Sequence, residues 1–238
     1  MYRRILLKLS GEALIEKGSR IIDVKSLNEV ARAIKTLHDE GVEIAVVIGA
    51  GNIWRGKLAD EIGIERVPAD FMGMLGTVIN AVAMSSSLKK YDVDSLVFSA
   101  IPAINGVTLP YDKEVVDTSL KEGKVCFLAG GTGKPFYTTD TAAVLRALEI
   151  NADAILMAKN GVDGVYDKDP TIHKDAKFLP LITYEEMIKM NLGVMDSSAL
   201  ELIKDTDLQI RVFSMADVTN FAKVVKGEHI GTICRKDK

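Results

Sequence analysis

The sequence predicts an α/β fold, a mainly parallel central sheet with helices on both faces, from two features of its pattern. Short runs rich in Val, Ile and Leu recur along the 238 residues, in RRILLKLS, VEIAVVIG, DSLVFSA, KVCFLAGG, DAILMAK and QIRVFS. They have strand length and are apolar without alternation, as strands covered on both faces must be. Amphipathic stretches of helical period lie between them, and alternation of strand with helix leads to parallel pairing.

The helical stretches are readable one by one. In DVKSLNEVARAIKTLHDEG, Asp23 can cap, Ser26 with Glu29 offers a second capping option, and Gly41 ends the turn. Leu27, Val30, Ala31, Ile34 and Leu37 then share one face. Further helices are expected over Asp70 to Tyr91, Thr139 to Ile150, Thr183 to Met190, Asp196 to Lys204 and Asp217 to Lys226. The Gly, Asp and Pro cluster in KNGVDGVYDKDP marks a soft boundary inside one compact unit, residues 1–238, with halves of roughly 1–155 and 156–238.

Composition removes several classes of function. Thirty basic against 33 acidic residues give a net charge of −3, and neither sign gathers into a block, which argues against nucleic acid as a partner. Cys126 and Cys234 lack a C-x-x-C spacing and read as buried strand residues in a reducing compartment. His38, His173 and His229 have no ligand-like spacing, so no protein-held metal site is expected and the histidines are placed on the surface. Lys8 interrupts the first apolar run before a secretory signal can form, and runs such as Ile44 to Ala50 fall far short of the roughly 20 residues a membrane helix needs. A cytoplasmic location and no membrane partner follow as expectations.

Three loops that follow strands are suited to phosphate, because backbone amides at a helix start or glycine turn point at an anion without a side chain in the way. The first is Lys8-Leu9-Ser10-Gly11. A lysine among apolar strand residues is either an edge-strand residue reaching solvent or a functional cation, and the residues alone weigh the two evenly. The second loop runs from Gly49 to Gly56, where Ala50, Gly51 and Arg55 stand. It resembles a dinucleotide fingerprint for two glycines and then departs, since Trp54 occupies the place of the third. Arg55 is a solvated helix-start arginine on one reading and a bidentate phosphate ligand on the other.

The third loop is Ala129 to Asp140, containing Thr132, Gly133, Lys134, Pro135, Phe136, Tyr137, Thr138 and Thr139. Its TGK resembles the end of a Walker A loop, but Pro135 replaces the magnesium-binding hydroxyl and Leu128 the leading glycine, so this is not a P-loop. Asp140 reads first as a helix cap and second as a catalytic carboxylate.

Taken together, KLSGEAL, VVIGAGNIWRG, PADFMGMLGTVINA, AGGTGKPFYTTDTAA and KNGVDGVYDKDP, with VMD near Met195 and IRVFSM near the carboxyl terminus, resemble the bacterial uridylate kinases of the amino-acid kinase superfamily. The resemblance runs nearly end to end. It implies a three-layer α/β/α sandwich, transfer of the γ-phosphoryl of ATP to UMP in pyrimidine nucleotide synthesis, Mg²⁺ delivered with ATP, and a homohexamer. It implies ATP contacts at Lys8, Leu9, Ser10, Gly11, Gly51 and Arg55 for the phosphates and at Asn160, Tyr166 and Asp169 for adenosine. UMP contacts are implied at Ala50, Asp70 and Thr132 through Thr139.

Within that reading Lys8, Arg55 and Asp140 carry catalysis, Asp140 by orienting Lys8 or magnesium-bound water. Ala50 departs from the glycine of many relatives. The segment EKGSRI, residues 16–21, lacks the glycine-rich look of the region linked to GTP activation in some of them. The nearest rivals are a superfamily kinase acting on an acyl carboxylate or carbamate, and a non-catalytic nucleotide sensor on the same fold.

Overall fold

The computed structural model describes residues 1–16, 21–159 and 161–237, so Asn160 and residues 17–20 lie outside the described residues. The chain runs β1 (Arg4–Leu9), a 3₁₀ turn (Gly11–Leu14), α1 (Val24–Asp39), β2 (Glu43–Ile48), α2 (Gly56–Ile62) and α3 (Arg66–Leu88). It continues through β3 (Ser95–Ser99), β4 (Leu109–Pro110), α4 (Lys113–Lys121), β5 (Val125–Ala129), α5 (Thr139–Glu149) and β6 (Ala154–Lys159). The remainder is β7 (Val165–Tyr166), β8 (Phe178–Leu179), β9 (Leu181–Thr183), α6 (Tyr184–Lys189), α7 (Ser197–Ile203), β10 (Gln209–Ser214), α8 (Thr219–Val225) and β11 (Thr232–Arg235).

Among the described residues, nine strands form one sheet in the order β4-β3-β5-β2-β1-β6-β10-β11-β9, and β7 with β8 makes a separate hairpin. Pairing in the large sheet is parallel except between β10 and β11. The six long apolar runs became the six long strands. The central ones are buried on both faces, which is why their sequences do not alternate. One apolar layer packs α1, α3 and α8 against residues such as Ile5, Leu7, Leu156 and Phe213. The other packs α4, α5, α6 and α7 against Leu6, Val47, Met157 and Val212.

Helix starts follow their capping chemistry. Asp23 accepts from Ser26 N at 2.8 Å, while Thr183 and Glu186 form a reciprocal capping box at α6. Helix α3 begins at Arg66, four residues before Asp70, because Pro68 fits a first turn whose amides need no partner in the preceding turn. Arg66–Tyr91 is long and apolar enough to cross a membrane by length and composition alone, although its uninterrupted apolar runs are short. Just over half of its apolar window (56%) is buried within the fold, as suits a core helix. Cys126 and Cys234 are buried in strands; His173 and His229 are exposed, whereas His38 is half-buried with its Nε2 3.1 Å from Gly123 O.

Candidate active site

The first loop crowns a central strand. β1 pairs with β2 on one side and β6 on the other, Lys8 standing opposite Val47 and Met157. That position rules out the edge-strand reading: the Lys8 side chain is 13% exposed and needs an anion beside it. The anion is Asp140, which forms an ion pair with Lys8. Capping does not account for Asp140, because Thr138 is the cap of α5, its Oγ1 accepting from Asp140 N at 3.1 Å and Thr141 N at 3.3 Å. The Asp140 carboxylate therefore lies in the first turn, where the helix dipole favours negative charge, with its oxygens turned to the lysine.

The first and second loops are built as one piece. Gly49 N donates to Leu9 O at 2.9 Å, closing the tops of β1 and β2. A Cβ on Gly11 would stand 2.2 Å from Asn52 Oδ1, 2.6 Å from Gly49 O and 2.9 Å from Gly51 N, so only glycine lets the two turns touch. Beneath them Asn80, fully buried on α3, donates to Gly49 O and to Asn52 Oδ1, both at 2.8 Å. Asn52 Nδ2 donates in turn to Asn80 Oδ1 at 3.0 Å. Trp54 stands where the fingerprint wants a glycine, but the close approach is supplied from the other side: a Cβ on Gly76 of α3 would lie 2.8 Å from Ala50 Cβ. Arg55 precedes α2, donates from Nε to Gly51 O at 3.0 Å and pairs with Glu12, its side chain 63% exposed.

The third loop is held open by backbone conformation. Gly130, Gly131 and Gly133 take φ of 77°, 59° and 79°, and a Cβ on Gly133 would lie 2.6 Å from Ala100 O. Gly130 N donates to Thr77 Oγ1 at 2.8 Å, and Phe136, itself at φ 71°, donates from N to Asp70 at 2.7 Å. Asp70 also receives Arg66 at 2.8 Å, while Thr138 donates its hydroxyl to Asp196, the cap of α7.

Ala50, Gly51, Asp70, Thr132, Tyr137, Thr138 and Thr139 line a cleft of 230 Å³. Gly133, Lys134, Pro135 and Phe136 are not among its lining residues. Lys134 and Phe136 are exposed, the latter with the Arg66 guanidinium 5.8 Å from its ring centre.

A second cavity, of 520 Å³, lies beyond β6 and holds Tyr166 and Asp169 together with Lys159. Tyr166 donates to Asp163 at 2.7 Å, a bond that keeps its phenol above the ordinary range; Asp169 accepts from Thr171 N and Oγ1, which holds its carboxyl low. A smaller cavity of 190 Å³, which shares Lys159 with the larger one, is lined by Lys8, Ser10 and Glu12. Ser10 Oγ accepts from Glu12 N at 3.3 Å, and the Leu9 side chain is in the core, so Leu9 faces the site with backbone alone. Sequence reasoning gave no part to Glu12, Asn52, Thr77, Asn80, Lys159 or Asp196. A buried polar residue inside the apolar helix stretch TVINAVAM was the one available signal for Asn80.

Residues 3–214 match the amino acid kinase family, and the chain belongs to that family. Among solved structures it is similar to the UMP kinase from Bacillus anthracis, at 40% identity and a TM-score of 0.96, covering 100% of this chain and 97% of that one. It is also similar to the UMP kinase from Ureaplasma parvum, at 35% identity and a TM-score of 0.92, covering 99% of this chain and 100% of the other. The uridylate kinase from Archaeoglobus fulgidus matches at 26% identity and a TM-score of 0.76, over 97% and 99% of the two chains.

Proposed function

We propose that the protein is a UMP kinase that transfers the γ-phosphoryl group of ATP to UMP, giving UDP and ADP. The observation that carries this reading is the Lys8–Asp140 pair at the tops of β1 and α5. Lys8 also lines the small cavity that Lys159 shares with the Tyr166 cavity. On this reading ATP enters from the Tyr166 and Asp169 side with its phosphates toward Ser10, Gly11, Gly51 and Arg55. UMP occupies the cleft of Ala50, Asp70 and the Thr132–Thr139 loop. The donor half is then roughly 156–238 and the acceptor half 1–155 of one unit.

The attacking atom is a phosphate oxygen, already anionic, so no general base is needed to activate it. What hinders the reaction is repulsion between two polyanions, and Lys8 and Arg55 with the loop amides offset it. Asp140 keeps the Lys8 ammonium aimed at the migrating group. Among the described residues no group of three His, Cys, Asp or Glu stands ready to cage a metal. A Mg²⁺ ion would then arrive with the nucleotide, and Asp140 would be the carboxylate to hold it. When bound, such an ion neutralises charge on the triphosphate.

Asp70 anchors the third loop through Phe136 N and lines the acceptor cleft. Asp70→Ala is expected to raise the KM for UMP about tenfold or more, the worth of a charge-assisted hydrogen bond, with a smaller change for ATP. Equal changes for both substrates would count against the assignment.

We further infer a homohexamer. Val67, Phe71, Leu75 and Ile79, spaced four apart along α3, present an exposed apolar stripe that an oligomer would cover. Light scattering is expected to return a mass six times 25.9 kDa, and a monomer would refute this. A cytoplasmic location is supported by the two buried free thiols. The reaction itself is tested by a coupled assay for ADP release with UMP, CMP, acetylglutamate or carbamate as acceptor. UMP should be the preferred acceptor; preference for an acyl acceptor, or nucleotide binding without UDP, would overturn the proposal.

A further inference from the structure

Three cations around the clefts have carboxylates at ion-pair distance: Lys8 has Asp140, Arg55 has Glu12 and Arg66 has Asp70. Lys159 has no such partner within 4.0 Å among the described residues. It ends β6, two residues beyond Met157, the register partner of Lys8. Side chains alternate along a strand, so Lys159 stands on the same face of the sheet as Met157 and Lys8, one pleat further out. That face is the one covered by α5, whose first turn carries Asp140.

The chain thus places two lysines at the tops of neighbouring strands, and the Asp140 carboxylate is ion-paired with Lys8 alone. Burial pushes the Lys159 ammonium below its ordinary pKa and Lys8 pushes it further, while Asp140 acts in the opposite sense. In the protein without nucleotide this is an unfavourable arrangement. An anion bearing several charges reverses it.

Lys159 also lines both the 520 Å³ cavity of Tyr166 and Asp169 and the 190 Å³ cavity of Lys8 and Ser10. A chain of phosphates running from one to the other passes it.

We propose that Lys159 is a second phosphate-binding cation of the transfer site, gripping the polyphosphate of the nucleoside triphosphate between the Tyr166 cavity and Lys8. This rests on the kinase reading given above. A lysine that served only the fold would stabilise the free protein; one kept for an anion costs stability until the anion arrives, and the two roles differ in sign.

The test uses the full chain and K159M, which keeps the aliphatic stem and removes the charge, with K159R as the charge-conserving variant. Melting is followed with and without ATP and Mg²⁺, alongside steady-state kinetics and UMP binding. K159M is expected to melt at or above the parent when free and to lose at least half of the melting shift produced by ATP. Its KM for ATP should rise about tenfold or more, with UMP affinity within about twofold of the parent; K159R should restore most of the ATP response.

A K159M protein that melts lower when free, or fails to fold while K159R folds, would assign Lys159 to structure and overturn the proposal. So would a KM for ATP within about twofold of the parent. A parent chain that forms no UDP from ATP and UMP would instead overturn the kinase reading, so the two failures are distinguishable.

Discussion

Lys8→Ala is expected to lower kcat by about 10²-fold or more, the cost of losing one preorganised transition-state donor. Lys8 is the cation that the central strand presents at the switch point of the sheet, where the chain leaves β1 for β2 on one side and later returns to β6 on the other. A charge that is 13% exposed is poorly solvated and rigidly aimed, so it stabilises negative charge better than a surface lysine could. Asp140 loses its partner in the variant, yet it keeps the α5 amides near it and remains 20% exposed, so the fold is expected to persist. Steady-state turnover, with circular dichroism as the control for folding, checks the prediction; near-parental kcat in a folded variant would remove Lys8 from the chemistry.

Gly11→Ala is the second large effect, and it acts through packing. The new methyl would meet Asn52 Oδ1 at 2.2 Å and two backbone atoms, Gly49 O and Gly51 N, at 2.6 and 2.9 Å. Backbone that is hydrogen-bonded to Leu9 and Asn80 cannot step aside cheaply. Overpacking of this kind costs about 1–3 kcal/mol of stability. Pushing the first and second loops apart by even about 1 Å should lower kcat/KM by about 10²-fold. Denaturant melts and kinetics test both parts. Gly51→Ala supplies the comparison, since its methyl meets nothing within 4 Å in the free protein and its melt should match the parent.

Much of this architecture was legible because the apolar runs are long. The runs around Leu6, Val46, Phe98, Phe127, Leu156 and Val212 are strands of five or six residues whose burial on both faces is written in their composition. β4, β7, β8 and β9 were not legible, for two or three residues carry no period and pair only because neighbours hold them in place. β11, four residues long, was missed as well, although Cys234 was rightly read as a buried strand residue. α4 escaped notice since only Val116, Ser119 and Leu120 of its nine residues are buried.

The three loops, Lys8 and Asp70 could be named from motif order alone. How they are braced could not. Gly76 does for Ala50 what the missing third glycine of the fingerprint would have done, from a helix whose sequence looks merely apolar. Thr138 and Asp140 are both capping residues by type, and only the geometry shows which one caps and which one is left to meet Lys8. Asn52 and Asn80 meet across 28 positions of sequence, a contact made by the tertiary fold rather than by any local pattern.

A structure of the protein with UMP and a non-hydrolysable ATP analogue bound together tests the central claim most directly. The account expects the Lys8 ammonium within hydrogen-bond distance of the oxygens on the terminal phosphate, Arg55 on phosphate oxygens, and the UMP phosphate in the cleft between Asp70 and Thr139. Nucleotides bound with neither Lys8 nor Arg55 touching phosphate would contradict it.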